Sequence, residues 1–207
     1  MNRKSRLWLG LVLLLSGCAA PQVRYYSLAE APRAPVQVSA AAAPYGVQLQ
    51  VSGIPAEADR IQLVVQDPLQ APAVQVLNES LWVAPLRDQI QRQLAGGVSA
   101  RLGVPEIARS SGAHAPAVRS IVVQVTRFDL IWGEAAWLGA RWTDRLPGSR
   151  SAQICQVVLS GAAGTSVSSL VRAQQHLLDT LSAVIANPDS SVQVSPESNE
   201  ISKGCTS

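Results

Sequence analysis

Leu86, Ile90, Leu94 and Val98 recur every four residues, and Leu102 continues the stripe. Arg87, Asp88, Gln91 and Arg92 lie between them. This spacing predicts an amphipathic helix with one buried face. Gly96-Gly97 weakens its centre by about 1 kcal/mol per Gly relative to Ala, and Gly103-Val104-Pro105 stops it. A second stripe runs through Val167, Leu170, Val171, Gln174, Leu177, Leu178, Leu181 and Ile185. Thr165 or Ser166 is placed to cap it, and Asn187-Pro188 ends it. A helix with a single apolar face must bury that face on another layer, so the rest of the chain has to supply one.

Alternation elsewhere supplies it. Val23 to Leu28 reads as a first strand, followed by an Ala- and Pro-rich loop over 31–46 that closes on the turn Pro44-Tyr45-Gly46. Val47, Leu49 and Val51 alternate with Gln48, Gln50 and Ser52, which predicts a half-buried strand. After Ile54-Pro55 and Asp59-Arg60, the residues Ile61, Leu63 and Val65 repeat the pattern. Asp67-Pro68 reads as a turn, Ala73 to Leu77 as a short strand, and Asn78-Glu79-Ser80 as another turn before Leu81-Trp82-Val83-Ala84-Pro85 introduces the first helix. A polar loop over 105–117 leads to Ile121, Val123 and Val125, which share a strand face; the apolar face then moves to Phe128 and Leu130. That change of phase predicts a bulge or a strong twist at Arg127-Phe128. Gly133-Glu134 reads as a hairpin turn, Ala135 to Trp142 as the returning strand, and Ser151 to Leu159 as one more. The expected fold class is α+β: a two-layer sandwich, with a largely antiparallel sheet carrying both amphipathic helices on one face.

The first residues do not belong to that fold. Arg3, Lys4 and Arg6 precede the apolar run Leu7 to Leu15, which is too short to span a bilayer, and Leu15-Ser16-Gly17-Cys18 follows. A basic start, a short apolar stretch, two small residues and a cysteine match the bacterial lipobox. The match implies a diacylglyceryl group on the Cys18 thiol, cleavage before Cys18, and acylation, such as palmitate, of the new amine. Two or three acyl chains anchor stably, since each buried methylene contributes about 0.8 kcal/mol and one chain alone is marginal. Ala19, where an Asp would retain an enteric-type lipoprotein in the inner membrane, implies export to the outer membrane, on its periplasmic face. The division is then a signal peptide over 1–17, a domain over 18–187 and a flexible tail over 188–207. The tether is short: at about 3.3 Å per residue, the strand beginning at Val23 stands on the order of 15–20 Å from the lipid surface.

Without residues 1–17 the chain has 190 residues, enough for one domain with a substantial core. Losing Arg3, Lys4 and Arg6 takes the 17 basic side chains to 14, against 14 acidic ones. A formal charge of zero leaves no basic stripe, so no nucleic-acid partner is expected. Cys155 and Cys205 are the remaining cysteines, and their spacing is neither a metal site nor a redox Cys-x-x-Cys. In an oxidising compartment they can form a disulfide. Cys155 shares a strand face with Val157 and Leu159, so a buried free thiol stands as the alternative.

The order of motifs resembles the ABC-type transport auxiliary lipoproteins, PqiC-like. The matching features are the lipobox, Tyr25-Tyr26-Ser27-Leu28, Ile54-Pro55 with Asp59-Arg60, Trp82 with Pro85-Leu86, Arg127-Phe128, Arg141-Trp142, and Leu181 to Ala186 in the last helix. Two positions depart from the pattern: Leu81 and Ala84 stand where the family has an Arg and an acidic residue. The resemblance implies a non-enzymatic subunit beside an MCE-domain transport system that moves phospholipids or other hydrophobic molecules between membranes. It implies docking of the MCE assembly at the outer membrane, and homo-oligomer rings around the end of its tunnel. An outer-membrane assembly lipoprotein supporting a β-barrel partner is the competing reading.

No catalytic constellation accompanies these features. His114 lies in a Ser/Gly/Ala/Pro loop and His176 in the second helix, without His-Glu-x-x-His, Gly-x-Ser-x-Gly or paired carboxylates. Gly161 to Ser166 precedes a helix, as anion-binding loops do, but lacks the Lys of a P-loop. No enzyme activity, cofactor or metal is expected. Partner contacts are sought instead among aromatic anchors. Trp82 precedes a helix and reads as core. Trp132 and Trp137 flank the hairpin turn and are the candidates for partner binding, with core packing as their other reading. Asp59-Arg60 reads as a partner contact or as a cap on the turn before its strand.

Overall fold

Five strands form the main sheet in the computed structural model, which describes residues 22–29, 45–107, 117–187 and 198–206. Cys18, His114 and the stretch 188–197 lie outside the described residues. The chain order is β1 (Arg24–Tyr26), β2 (Tyr45–Gly53), β3 (Gln62–Gln66), β4 (Val74–Trp82), α1 (Leu86–Leu102), β5 (Ala117–Leu130), β6 (Ala135–Arg145), β7 (Gln153–Ala162), α2 (Val167–Ala186) and β8 (Ser198–Thr206). The main sheet runs β2-β5-β6-β7-β8, antiparallel except where β2 lies parallel to β5. Both helices cover one of its faces, α1 over β2 and α2 over β6 and β7, and they pack on each other.

The alternation chose that face. Leu49 lies opposite Ile121, Val123 opposite Trp142, and Trp142 opposite Cys155, so the inward rows of four strands coincide. All of these side chains are buried. The register slips between Val125 and Arg127, which makes Thr126 the extra residue of a bulge. The slip brings Phe128 and Leu130 onto the inward row. Gly139 faces the bulge, where a Cβ would come within 2.9 Å of both Arg127 Cβ and Thr126 Oγ1.

A second, three-stranded sheet, β1-β4-β3, closes one end of the sandwich. It is joined to the β5–β6 hairpin, where the Trp132 N–H donates to Gln66 O. Trp82, at the end of β4, meets Phe128 edge-on, with ring centroids 6.2 Å apart. Trp82 is therefore core. The turn expected at Asn78-Glu79-Ser80 is absent: β4 runs through, and the pairing passes from Leu63↔Leu77 to Gln62↔Leu81. The three polar residues bulge out of the β3 ladder while Ser80 pairs with Arg24 of β1 on the other side. The tail also differs. Residues Ser198–Thr206 form β8, which completes the edge of β7.

Polar side chains tie the layers. Arg119 on β5 forks onto Asp144 of β6, Nε to Oδ1 at 3.0 Å and Nη2 to Oδ2 at 2.6 Å, with both side chains 5% exposed. The same guanidinium donates to Ile185 O and Ala186 O at the C-terminus of α2. Burial works against its charge, but hydrogen bonding and attraction from Asp144, with Tyr45 alongside, hold its pKa above the ordinary arginine value. Gln174 of α2 donates to Asp129 O and Trp137 O, fixing the helix to the hairpin strands. The start of the domain is bound as firmly. Leu28 is fully buried, its N–H donates to Gln89 Oε1, and Gln175 donates to Ser27 O and Ala29 O.

Helix ends follow their local chemistry. Ser166 caps α2 through a capping box with Ser169, and Gly103, in the left-handed region at φ 64°, closes α1. Between the helices, a Cβ on Gly97 would stand 2.5 Å from Ser182 Oγ, and Arg101 spans the gap to Ser182 and Asp179. Gly97 thus permits the close approach, whereas a Cβ on Gly96 meets nothing within 4 Å. The two adjacent glycines should respond with opposite signs. Gly97→Ala is expected to cost about 1–3 kcal/mol by overpacking, partly restored by Ser182→Gly. Gly96→Ala is expected to gain up to about 1 kcal/mol from helix propensity. Urea unfolding of the variants measures both.

Candidate docking surface

The helices leave the other face of the main sheet uncovered by any described element. Its rows follow from the register: Val122, Thr143 and Ile154; then Gln124, Arg141 and Gln156; then, past the bulge, Asp129 and Trp137. Val122 and Ile154 are 40% and 43% exposed. The bulge aims Arg127 and Asp129 outward in the stretch whose Phe128 and Leu130 point inward. Arg127 lies over the Trp137 ring, 4.0 Å from its centroid, and pairs with Asp129 at 2.5 Å. A guanidinium stacked at a part-exposed site contributes about 0.5–1 kcal/mol and keeps the indole in one orientation. Mixed apolar, aromatic and arginine character is what protein-binding patches concentrate.

Trp132 and Trp137 occupy different settings. Trp137 is half-buried on the open face beneath Arg127. Trp132 is half-buried at the hairpin turn, packed against the core. A cavity of about 160 Å³ opens between the small sheet and the end of β5, with Val64, Val74, Trp82, Phe128 and Leu130 as apolar lining and Glu57 also on its wall. It is smaller than the roughly 300–1,000 Å³ of ordinary small-molecule sites. Asp59 pairs with Arg87 of α1 at 3.0 Å, both half-exposed, a contact worth about 0.2–1 kcal/mol. Its neighbour Arg60 is exposed. His176 sits within α2. Among the described residues no group of three or more His, Cys, Asp or Glu could hold a metal ion, and no helix is long and apolar enough to cross a membrane.

The position of Arg127 over Trp137 was hidden in the sequence, because the two residues meet only across the bulged pairing of β5 and β6. The cysteines were visible, and the register decides their relation. Cys155 lies directly opposite Cys205 across β7 and β8, and the two are joined by a disulfide. The Cys155 side is buried on the inward row, so the bridge fastens the edge strand to the core.

A profile of the ABC-type transport auxiliary lipoprotein component family matches residues 26–186. No functionally curated protein matches the sequence. Two crystal structures share the fold. One, of an uncharacterized protein, superposes with a TM-score of 0.60 at 20% identity, covering 82% of this chain and 99% of that one. The other, protein XCC0632 from Xanthomonas campestris, of family DUF330, gives 0.52 at 14% identity, covering 80% and 90%.

The disulfide closes a separation of 50 residues. Its reduction is expected to lower stability by about 2–4 kcal/mol. Thiol counting on the denatured, unreduced protein should find no free thiol at Cys155 or Cys205; two free thiols there would contradict the bridge.

Proposed function

The chain belongs to the ABC-type transport auxiliary lipoprotein component family, and from that premise we propose that it is a non-enzymatic docking subunit of an MCE-type intermembrane lipid transport system. In this reading Cys18 is lipidated, and the acyl chains hold the domain on the periplasmic face of the outer membrane. The domain receives the periplasmic MCE protein on protein surface, and copies of the chain arrange themselves around the end of its tunnel.

The observation that carries the reading is the two-sided construction. One face of the main sheet is buried beneath both helices, and the other presents Val122, Ile154 and the Arg127–Trp137 stack without cover among the described residues. The mature charge of zero makes capture by shape and apolar anchoring the natural mode, in place of long-range electrostatic attraction. The hairpin that bears Trp132 and Trp137 is braced on both sides, by Gln66 of the small sheet and by Gln174 of α2. A braced hairpin presents its anchor in one conformation, which lowers the ordering cost of binding.

The test is pull-down of the lipidated protein, in membranes, with the periplasmic MCE protein of the same genome. Wild type should bind, and Trp137→Ala should weaken binding by at least tenfold, about 1.4 kcal/mol or more. Trp132→Ala should act less, since its ring faces the core. Absence of wild-type binding, or capture of a β-barrel protein in its place, would overturn the docking role. Unchanged binding in both Trp variants would overturn the placement on this hairpin.

A further inference from the structure

β1 lies parallel to β4, with Tyr25 opposite Leu81 and Tyr26 opposite Trp82. Trp82 is buried and Tyr26 packs against the core, so Tyr25 and Leu81 point the other way. Val23 and Val83, two residues along from each, continue this outward row, and the Val83 N–H still donates to Tyr26 O. The main chain of Ile61 runs alongside, since its carbonyl accepts from the Trp82 N–H. Val23, Tyr25, Ile61 and Val83 are 47%, 65%, 53% and 58% exposed. Val23, Tyr25 and Val83 thus share one small face, with the exposed Glu79 opposite Val23 in the continued register.

We infer that this outward face of β1 and β4 rests on the lipid headgroup layer and fixes how the domain stands on the membrane. The inference builds on the lipidation of Cys18 within the proposed function. Only four residues separate Cys18 from Val23, so Val23, just ahead of β1, stays within about 17 Å of the anchored cysteine in any conformation of the tether. β1 is also rigidly part of the body, because Leu28 is buried and the main chain just beyond β1 is held by Gln89 and Gln175. A bilayer held that close has a very high effective concentration at the patch, so weak apolar contacts suffice. The chemistry suits the interface. Tyr25 offers an apolar ring with a polar tip, and Arg60, exposed next to Ile61, can keep its charge at headgroup level while its stem lies on apolar surface.

Site-directed nitroxide labels read the arrangement. With Cys18 lipidated and Cys155 bridged to Cys205, an introduced cysteine is the one reactive thiol. Tyr25→Cys and Val83→Cys carry the label on the patch, and Val122→Cys carries it on the open face of the main sheet. Each is compared as lipidated protein in phosphatidylethanolamine/phosphatidylglycerol vesicles and as the soluble Cys18→Ser form. The expected result is a several-fold rise in collision with oxygen relative to a water-soluble nickel complex at 25 and 83 in vesicles, with 122 staying at its aqueous value. Protein that floats with vesicles while all three labels stay aqueous would overturn the inference and leave the anchor standing. Lipid-modified protein that fails to float would overturn the anchor and the inference together. Labels at 25 and 83 shielded from both reagents in the soluble form would assign the face to a second copy, and would also overturn it.

Discussion

The guanidinium of Arg119 holds the two layers together at one end of the sandwich. It sits on β5, forks onto Asp144 of β6, and closes the carbonyl end of α2 through Ile185 and Ala186. Three elements distant in sequence therefore share one buried cation. A lone charge at that depth would be prohibitive, and the carboxylate with the helix-end carbonyls supplies what water no longer does. The helix terminus adds a favourable dipole, since its last carbonyls present partial negative charge. Loss of either charge strands the other beneath the helix, so this end of α2 depends on both.

From that fixed frame the surfaces follow. With α2 set against β6 and β7, Gln174 reaches the hairpin strands and braces them from the inside. The Thr126 bulge lets one strand serve both faces: Phe128 and Leu130 fill the core, while Arg127 and Asp129 organise Trp137 outside. The small sheet completes the other end, its Trp82 meeting Phe128 within the core and its outer row of Val23, Tyr25 and Val83 left to the surroundings. A domain built this way keeps its N-terminal strand rigid up to a few residues from Cys18, the anchor in the proposed reading. On that reading, orientation at a membrane is a property of the fold rather than of a linker.

Much of this was legible in the sequence where periodicity spoke for burial. The apolar stripes placed both helices, the alternation placed the inward rows of β2, β5 and β7, the phase change at Arg127-Phe128 marked the bulge, and Thr165 or Ser166 was placed to cap α2, a role Ser166 takes. What stayed hidden depends on partners far along the chain. Asn78-Glu79-Ser80 has turn chemistry, yet β1 and β3 flank it and turn it into a bulged strand. Ser198–Thr206 shows no apolar alternation, and becomes a strand because β7 offers it an open edge and Cys155 a partner. Arg119 and Asp144 left a faint sign, since each continues an inward row, Arg119 before Ile121 and Asp144 after Trp142. Opposite charges at inward positions of neighbouring strands point to a buried pair once the pairing is known. Trp132 and Trp137 could not be separated as core or surface, because a residue on a bulged hairpin changes face with the register.

The most direct test of this account is a double-mutant cycle on Arg119→Met and Asp144→Leu, read by urea unfolding of the protein. Each single change leaves a buried charge without its partner and is expected to cost about 3–5 kcal/mol. The double variant removes both charges and should cost far less than the two losses added, giving a coupling of at least about 2 kcal/mol. Single variants that each lose under about 1 kcal/mol, a range typical of surface ion pairs, and a double variant that is simply additive, would contradict the claim that this pair joins the helical layer to the sheet.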